Sequence, residues 1–211
     1  MSATIEELKT CSNQQEFEAA GEAAKKWFTE VLSNGWTETT KGEVTVYDKP
    51  SINNHHFIKT VTQSKLKAED MFNKVKSADF ATSHKYDKEL VESEVLETIN
   101  EHLKVTKQVN SAPWPVAARE FVSVLIDYEE NGSFYIVSNS INYPKCDTVG
   151  KKYVRGVKLF GMKFTPNDEG CLIERVLEVD PKGSVIAMAV NASKKEDANR
   201  LLNMKKFFEQ N

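Results

Sequence analysis

Apolar positions change their period along the chain, and each change marks an element. From Phe17 they recur at Ala20, Ala24, Trp27 and Val31, the spacing of one helix face. Ser12, with Gln15 three residues on, matches a capping box, in which each side chain satisfies an unpaired backbone N–H. Gly35 suits the stop, so a helix is predicted over about 12–34. After Trp36 the period falls to two. "EVTVYDK" and "HHFIKTVTQSK" read as strands, rich in β-branched and aromatic residues and parted by the turn-like "PSINN". Ala68, Met71, Phe72 and Val75 share one face of a short helix, and "ADFATSHKYDKEL" reads as a loop with one helical turn. Six strands are predicted near 92–99, 103–110, 119–128, 133–141, 152–165 and 171–179. "DPKG" then opens a long helix that begins with "VIAMAV" and continues through Leu201, Met204 and Phe208. With no repeat or linker, this order predicts one α+β domain over 1–211, an antiparallel sheet with helices packed against it.

Asn131-Gly132 supplies the positive φ angles of a type I′ hairpin turn. Counting outward from it sets Asp127 opposite Ile136, Leu125 opposite Ser138 and Ser123 opposite Ser140, all on one face with Phe121. The other face carries Val122, Val124, Ile126, Tyr128, Tyr135 and Val137. Hydrophobicity alone would bury that second face in an ordinary core. The mixed, hydroxyl-bearing face also suits a pocket wall, where a few polar groups orient a ligand among apolar ones. The residues by themselves leave both readings open.

At 211 residues, 40% hydrophobic and 28% charged, the chain has the composition of a soluble globular domain. A net charge of −3 gives no basic excess for nucleic-acid binding. Cys11, Cys146 and Cys171 form no C-x-x-C pair and are odd in number, which points to a reducing compartment. The start lacks the apolar run of a signal peptide and no stretch reaches transmembrane length, so a cytoplasmic location is expected. "NGS" reads better as the hairpin turn than as a glycosylation site, and "NAS" falls in a predicted helix. His55 and His56, adjacent in a predicted strand, point to opposite faces, which is poor metal geometry. No G-x-S-x-G, P-loop or H-E-x-x-H pattern is present, so neither a metal, a cofactor nor an enzymatic activity is expected.

"WPVAAREFVSV" resembles the W/Y-P-x-x-x-R-D-F/Y-V segment of the START (StAR-related lipid transfer) domain family. "KKYVRG" resembles that family's strand ending in V-R-G, and "VLEVDPKGSVIAMAVN" its approach to the last helix. "EVLETINEHLKVTKQV" resembles the paired strands before the W-P loop. The likeness runs in the family's order from about 36 to 208. It implies a helix-grip fold, a curved antiparallel sheet wrapped around a long C-terminal helix with an internal lipid tunnel. It also turns the mixed hairpin face toward that tunnel. Where some sterol-binding members pair a carboxylate with an arginine, the matching positions are Thr106 and Leu125. Gln108 matches an amide position of ceramide-transfer members, and Ser138 falls at or beside another. Arg119 matches the family's arginine, and Glu120 replaces its usual aspartate.

The function this implies is intracellular lipid binding and transfer, one lipid being carried without covalent chemistry. Its partners would be a sterol, phospholipid or sphingolipid and, transiently, a membrane surface, with no nucleic acid and the chain a monomer. Thr106, Gln108, Ser123 and Ser138 would hydrogen-bond the ligand, and Phe121, Leu125 and Ile136 would line the apolar wall. Trp114 would serve a lid at the membrane interface. Val185, Met188 and Ala189 would form the tunnel floor, and Arg155 is either a ligand contact or a strand residue. Lys194, Lys195, Arg200, Lys205 and Lys206 read as headgroup contacts or as a solvated helix face. The alternatives are a lipid-gated regulator and a helix-grip enzyme acting on a hydrophobic small molecule.

Overall fold

The computed structural model describes residues 8–33, 35–51, 56–112, 116–146, 153–182 and 188–211, the backbone alone for 188–193. Their order is α1 (Gln14–Leu32), β1 (Thr37–Thr40), β2 (Thr45–Pro50), β3 (His56–Ser64), α2 (Ala68–Ser77), α3 (Phe80–Tyr86) and β4 (Leu90–Thr98). Then come β5 (Leu103–Asn110), β6 (Arg119–Glu130), β7 (Ser133–Ser140), β8 (Val154–Arg155), β9 (Val157–Asn167), β10 (Gly170–Asp180) and α4 (Met188–Gln210). One sheet runs β1-β2-β3-β10-β9-β7-β6-β5-β4, all antiparallel, with β8 parallel beside β6.

The β6–β7 hairpin turns at Asn131 (φ 50°) and Gly132 (φ 70°), as expected for a type I′ turn. Its register pairs Asp127 with Ile136, Leu125 with Ser138 and Ser123 with Ser140, the pairing counted from the sequence. The valine-rich face is covered by α1. Phe17, Ala20, Ala24, Trp27, Phe28 and Val31 pack on Val105, Val122, Val124, Ile126, Val137 and Leu159. Each large apolar side chain buried in this layer contributes about 1.5–3 kcal/mol. Gly161 on β9 lies beneath α1, and a Cβ there would come 2.3 Å from the Phe28 ring.

The mixed face is the inner one. It meets α2 and α4, where Ile136, Met162, Phe164 and Ile173 pack against Met71, Phe72, Leu201, Met204 and Phe208. Charges tie α4 to both ends of the sheet. Lys194 reaches Asp48 on β2 (3.1 Å), while Arg200 reaches Asp87 (2.8 Å) and Glu89 (2.5 Å) just before β4. A sheet whose two edges hold the same helix is the helix-grip arrangement, and it is not closed into a barrel.

Several details depart from the sequence reading. The capping box sits one residue later: Asn13 accepts from the Glu16 N–H (3.1 Å), and the Glu16 carboxylate accepts from the Ser12 N–H (2.7 Å). Ser12–Gln15 has suitable residue types, but a carboxylate at the helix N-terminus gains from the macrodipole, as an amide does not. β1 is exposed along its length, so no apolar alternation marks it. The polar loop holds a full short helix, α3, capped by Asp79 on the Thr82 N–H (2.8 Å). The strand expected over 152–165 is divided into β8 and β9 at Gly156. A Cβ there would lie 2.7 Å from Phe121, the close approach that this glycine permits.

Candidate functional site

A polar row crosses the inner face through four adjacent strands. Thr106 on β5 pairs with Ser123 on β6, and Ser123 pairs with Ser140 on β7. The Ser140 hydroxyl accepts the Lys158 N–H of β9 at 2.9 Å and lies 3.2 Å from the Ser123 hydroxyl. The next row holds Leu125, Ser138 and Phe160. Antiparallel pairing keeps opposed side chains on one face, so register alone assembles the group. Thr106, Gln108, Phe121, Ser123, Leu125, Ile136 and Ser138 are all brought to this inner face.

The apolar and polar parts of the face differ in packing. Toward the hairpin turn, Ile136, Met162 and Phe164 are buried under α2 and α4. Farther from it, Gln108, Leu125, Lys158 and Phe160 are half-buried. Ser138 and Thr106 are buried at 4% and 8% exposure, and among the described residues neither hydroxyl makes a hydrogen bond, while neither oxygen is fully enclosed. A hydroxyl on this face with no protein partner is open to a ligand or water.

Two cations on this face were not anticipated. Lys158 donates to Gln108 Oε1 at 2.6 Å and sits 4.9 Å over the Phe121 ring. Burial pulls its ammonium down to about 7, with Arg200 and Arg175 adding repulsion. Arg175 on β10 is buried, pairs with Asp197 of α4 at 2.9 Å and stacks 5.1 Å over Phe160. Asp197 also accepts from the Thr60 hydroxyl at 2.9 Å. Both were visible as lone charges in alternating apolar rows: Lys158 before Phe160, Met162 and Phe164, and Arg175 between Ile173 and Leu177.

The remaining expected residues lie elsewhere. Arg155 shares the register and face of Glu120, donating to its carboxylate at 2.7 Å and to the Cys146 carbonyl at 3.1 Å. That is the α1 side of the sheet, so Arg155 acts there as a strand tie. Trp114 and Val185 lie outside the described residues. Met188 and Ala189 begin α4, and only their backbone is described. Arg119 binds the Pro181 carbonyl (2.9 Å), the Lys182 carbonyl (3.2 Å) and the Ala117 carbonyl, joining the start of β6 to the segment that leads to α4. Lys194, Arg200, Lys205 and Lys206 pair with Asp48, Asp87 and Glu89, and Glu43, so these cations are engaged within the fold. Among the described residues no three His, Cys, Asp or Glu side chains come together as metal ligands.

A model of the START domain matches residues 7–210. The chain belongs to the START domain family. This START domain resembles the human StAR-related lipid transfer protein 5, with a TM-score of 0.84 at 18% identity, covering 94% of this chain and 99% of that one. Human STARD10 follows with a TM-score of 0.78 at 20% identity, over 97% of this chain and 83% of that one. The human StarD13 (DLC2) lipid transfer and protein localization domain has a TM-score of 0.72 at 18% identity, over 94% and 98%. At such identities the likeness carries the helix-grip fold and not the ligand. No curated protein matches this START sequence. Among the described residues no helix is long and apolar enough to cross a membrane.

Proposed function

We propose that this START domain binds one lipid between the inner sheet face and α4 and carries it between membranes. The observation that supports this most is the polar row of Thr106, Ser123, Ser140 and Lys158, set beside the half-buried Gln108, Leu125 and Phe160 of the inner face. Such a surface shelters acyl or sterol carbon while offering hydrogen bonds to one polar group. At about 0.8 kcal/mol per CH2, a sixteen-carbon chain exposed to water costs roughly 12 kcal/mol, so an enclosing carrier removes a large barrier to movement. No covalent step is required of the protein.

The test is transfer of isotopically labelled lipids from donor to separable acceptor vesicles. Transfer is expected to rise with protein concentration and to fail for Leu125→Trp, whose indole occupies the half-buried inner position. Lipid that does not move, or that moves equally well with a folded Leu125→Trp, contradicts the proposal.

A further inference from the structure

Among the described residues, the inner face holds a cation with no counter-charge. Three other cations near α4 have carboxylate partners: Arg175 has Asp197, Lys194 has Asp48, and Arg200 has Asp87 and Glu89. Lys158 has no carboxylate partner among the described residues. Its ammonium meets the Gln108 amide oxygen at 2.6 Å and the Phe121 ring at 4.9 Å, both neutral. An ammonium carries three donor protons, so two remain after the bond to Gln108. A charge drawn out of water is tolerated when it is paired and hydrogen-bonded, and the half-buried Lys158 is only partly so.

The groups around it are donors. Because an ammonium only donates, Gln108 must turn its oxygen toward Lys158, which directs its NH2 elsewhere; that NH2 has no hydrogen-bond partner among the described residues. The Thr106 and Ser138 hydroxyls are also without partners there and can donate to an anionic oxygen. On the same face the half-buried Leu125 and Phe160 lie beside Lys158, apolar surface for the start of a hydrocarbon tail.

We infer that this face selects an amphiphile with one acidic group, phosphate or carboxylate, seated on Lys158 with Gln108 and the Thr106 and Ser138 hydroxyls around it. The inference rests on the lipid-binding reading and narrows it to an anionic ligand.

The test measures binding to delipidated protein of palmitate, phosphatidic acid, phosphatidylcholine and cholesterol, for wild type, Lys158→Met and Lys158→Arg. The expected result is that at least one acidic amphiphile binds wild type. Lys158→Met then weakens it about 10- to 100-fold, the loss typical of a charged hydrogen-bonding partner. Neutral lipids retain or gain affinity in that variant, and Lys158→Arg retains part of the acid binding. Palmitate alone assigns a carboxylate, and phosphatidic acid alone a phosphate. Binding of only the neutral or zwitterionic lipids by wild type, or equal acid binding by Lys158→Met, overturns the inference and leaves the lipid-carrier reading standing. If none of the four binds, that broader reading fails as well.

Discussion

Replacing Lys158 with methionine is expected to stabilise the lipid-free protein at pH 6. Methionine has nearly the shape of the lysine stem and removes only the charge. In the folded chain burial brings Lys158 from 10.5 down to about 7, opposed by Asp87 and reinforced by Arg200 and Arg175. At about 1.4 kcal/mol per pH unit, the ceiling on this penalty is roughly 5 kcal/mol. The side chain is half-buried, and Gln108 loses its donor in the variant, which leaves a gain of about 2 kcal/mol. For a domain of this size that raises the melting temperature by about 4–8 °C. The sign follows from proton binding. Between about 7 and 10.5 the unfolded chain holds a proton that the folded chain has released, so wild-type stability rises with pH through that window. The assay is thermal unfolding of both proteins from pH 6 to pH 10. The gap is expected to be largest at pH 6 and to close toward pH 10. A variant that melts at or below wild type at pH 6 refutes the reasoning, because the ammonium would then have a favourable partner in the fold.

Three further outcomes follow from the packing. Gly161→Ala is expected to cost about 1–3 kcal/mol in denaturant unfolding, because its Cβ would press 2.3 Å against Phe28; an unchanged midpoint would mean that α1 shifts freely. Arg175→Met is expected to cost about 3–5 kcal/mol by leaving Asp197 buried and unpaired, and the double variant Arg175→Met/Asp197→Leu to recover most of it. Recovery absent from the double variant would place the role of Arg175 elsewhere. Burial pushes the Glu178 carboxyl up from 4.5 to about 7, opposed by the Ser51 hydroxyl, so the stability it contributes at low pH is lost as pH rises through that range. Glu178→Gln is expected to flatten the change in melting temperature between pH 5 and pH 7.5, and an unaltered slope would count against that assignment.

Much of the fold was legible because local signals agreed with tertiary packing. The Asn131-Gly132 turn set the β6–β7 register, and the register set which side chains share a face. Which face looked inward was not legible from hydrophobicity. The valine-rich face is buried under α1, and the mixed face is buried under α2 and α4. Only a partner on each side makes both assignments consistent. The neutral polar residues of the site followed from strand alternation once the face was known. Lys158 and Arg175 escaped because a lone charge in a strand is usually assigned to solvent, although alternation set each in an apolar row. Alternation with Leu159 already set Arg155 on the α1 side, but its partner Glu120 comes through a parallel pairing of two residues, for which local sequence has no marker.

The most direct test of the account is native mass spectrometry of the protein re-isolated after incubation with mixed-lipid vesicles. The account predicts a discrete one-to-one lipid adduct on wild type that is lost in a folded Leu125→Trp variant. A protein that remains empty across sterols, phospholipids, sphingolipids and fatty acids, or an adduct that Leu125→Trp leaves untouched, would contradict it.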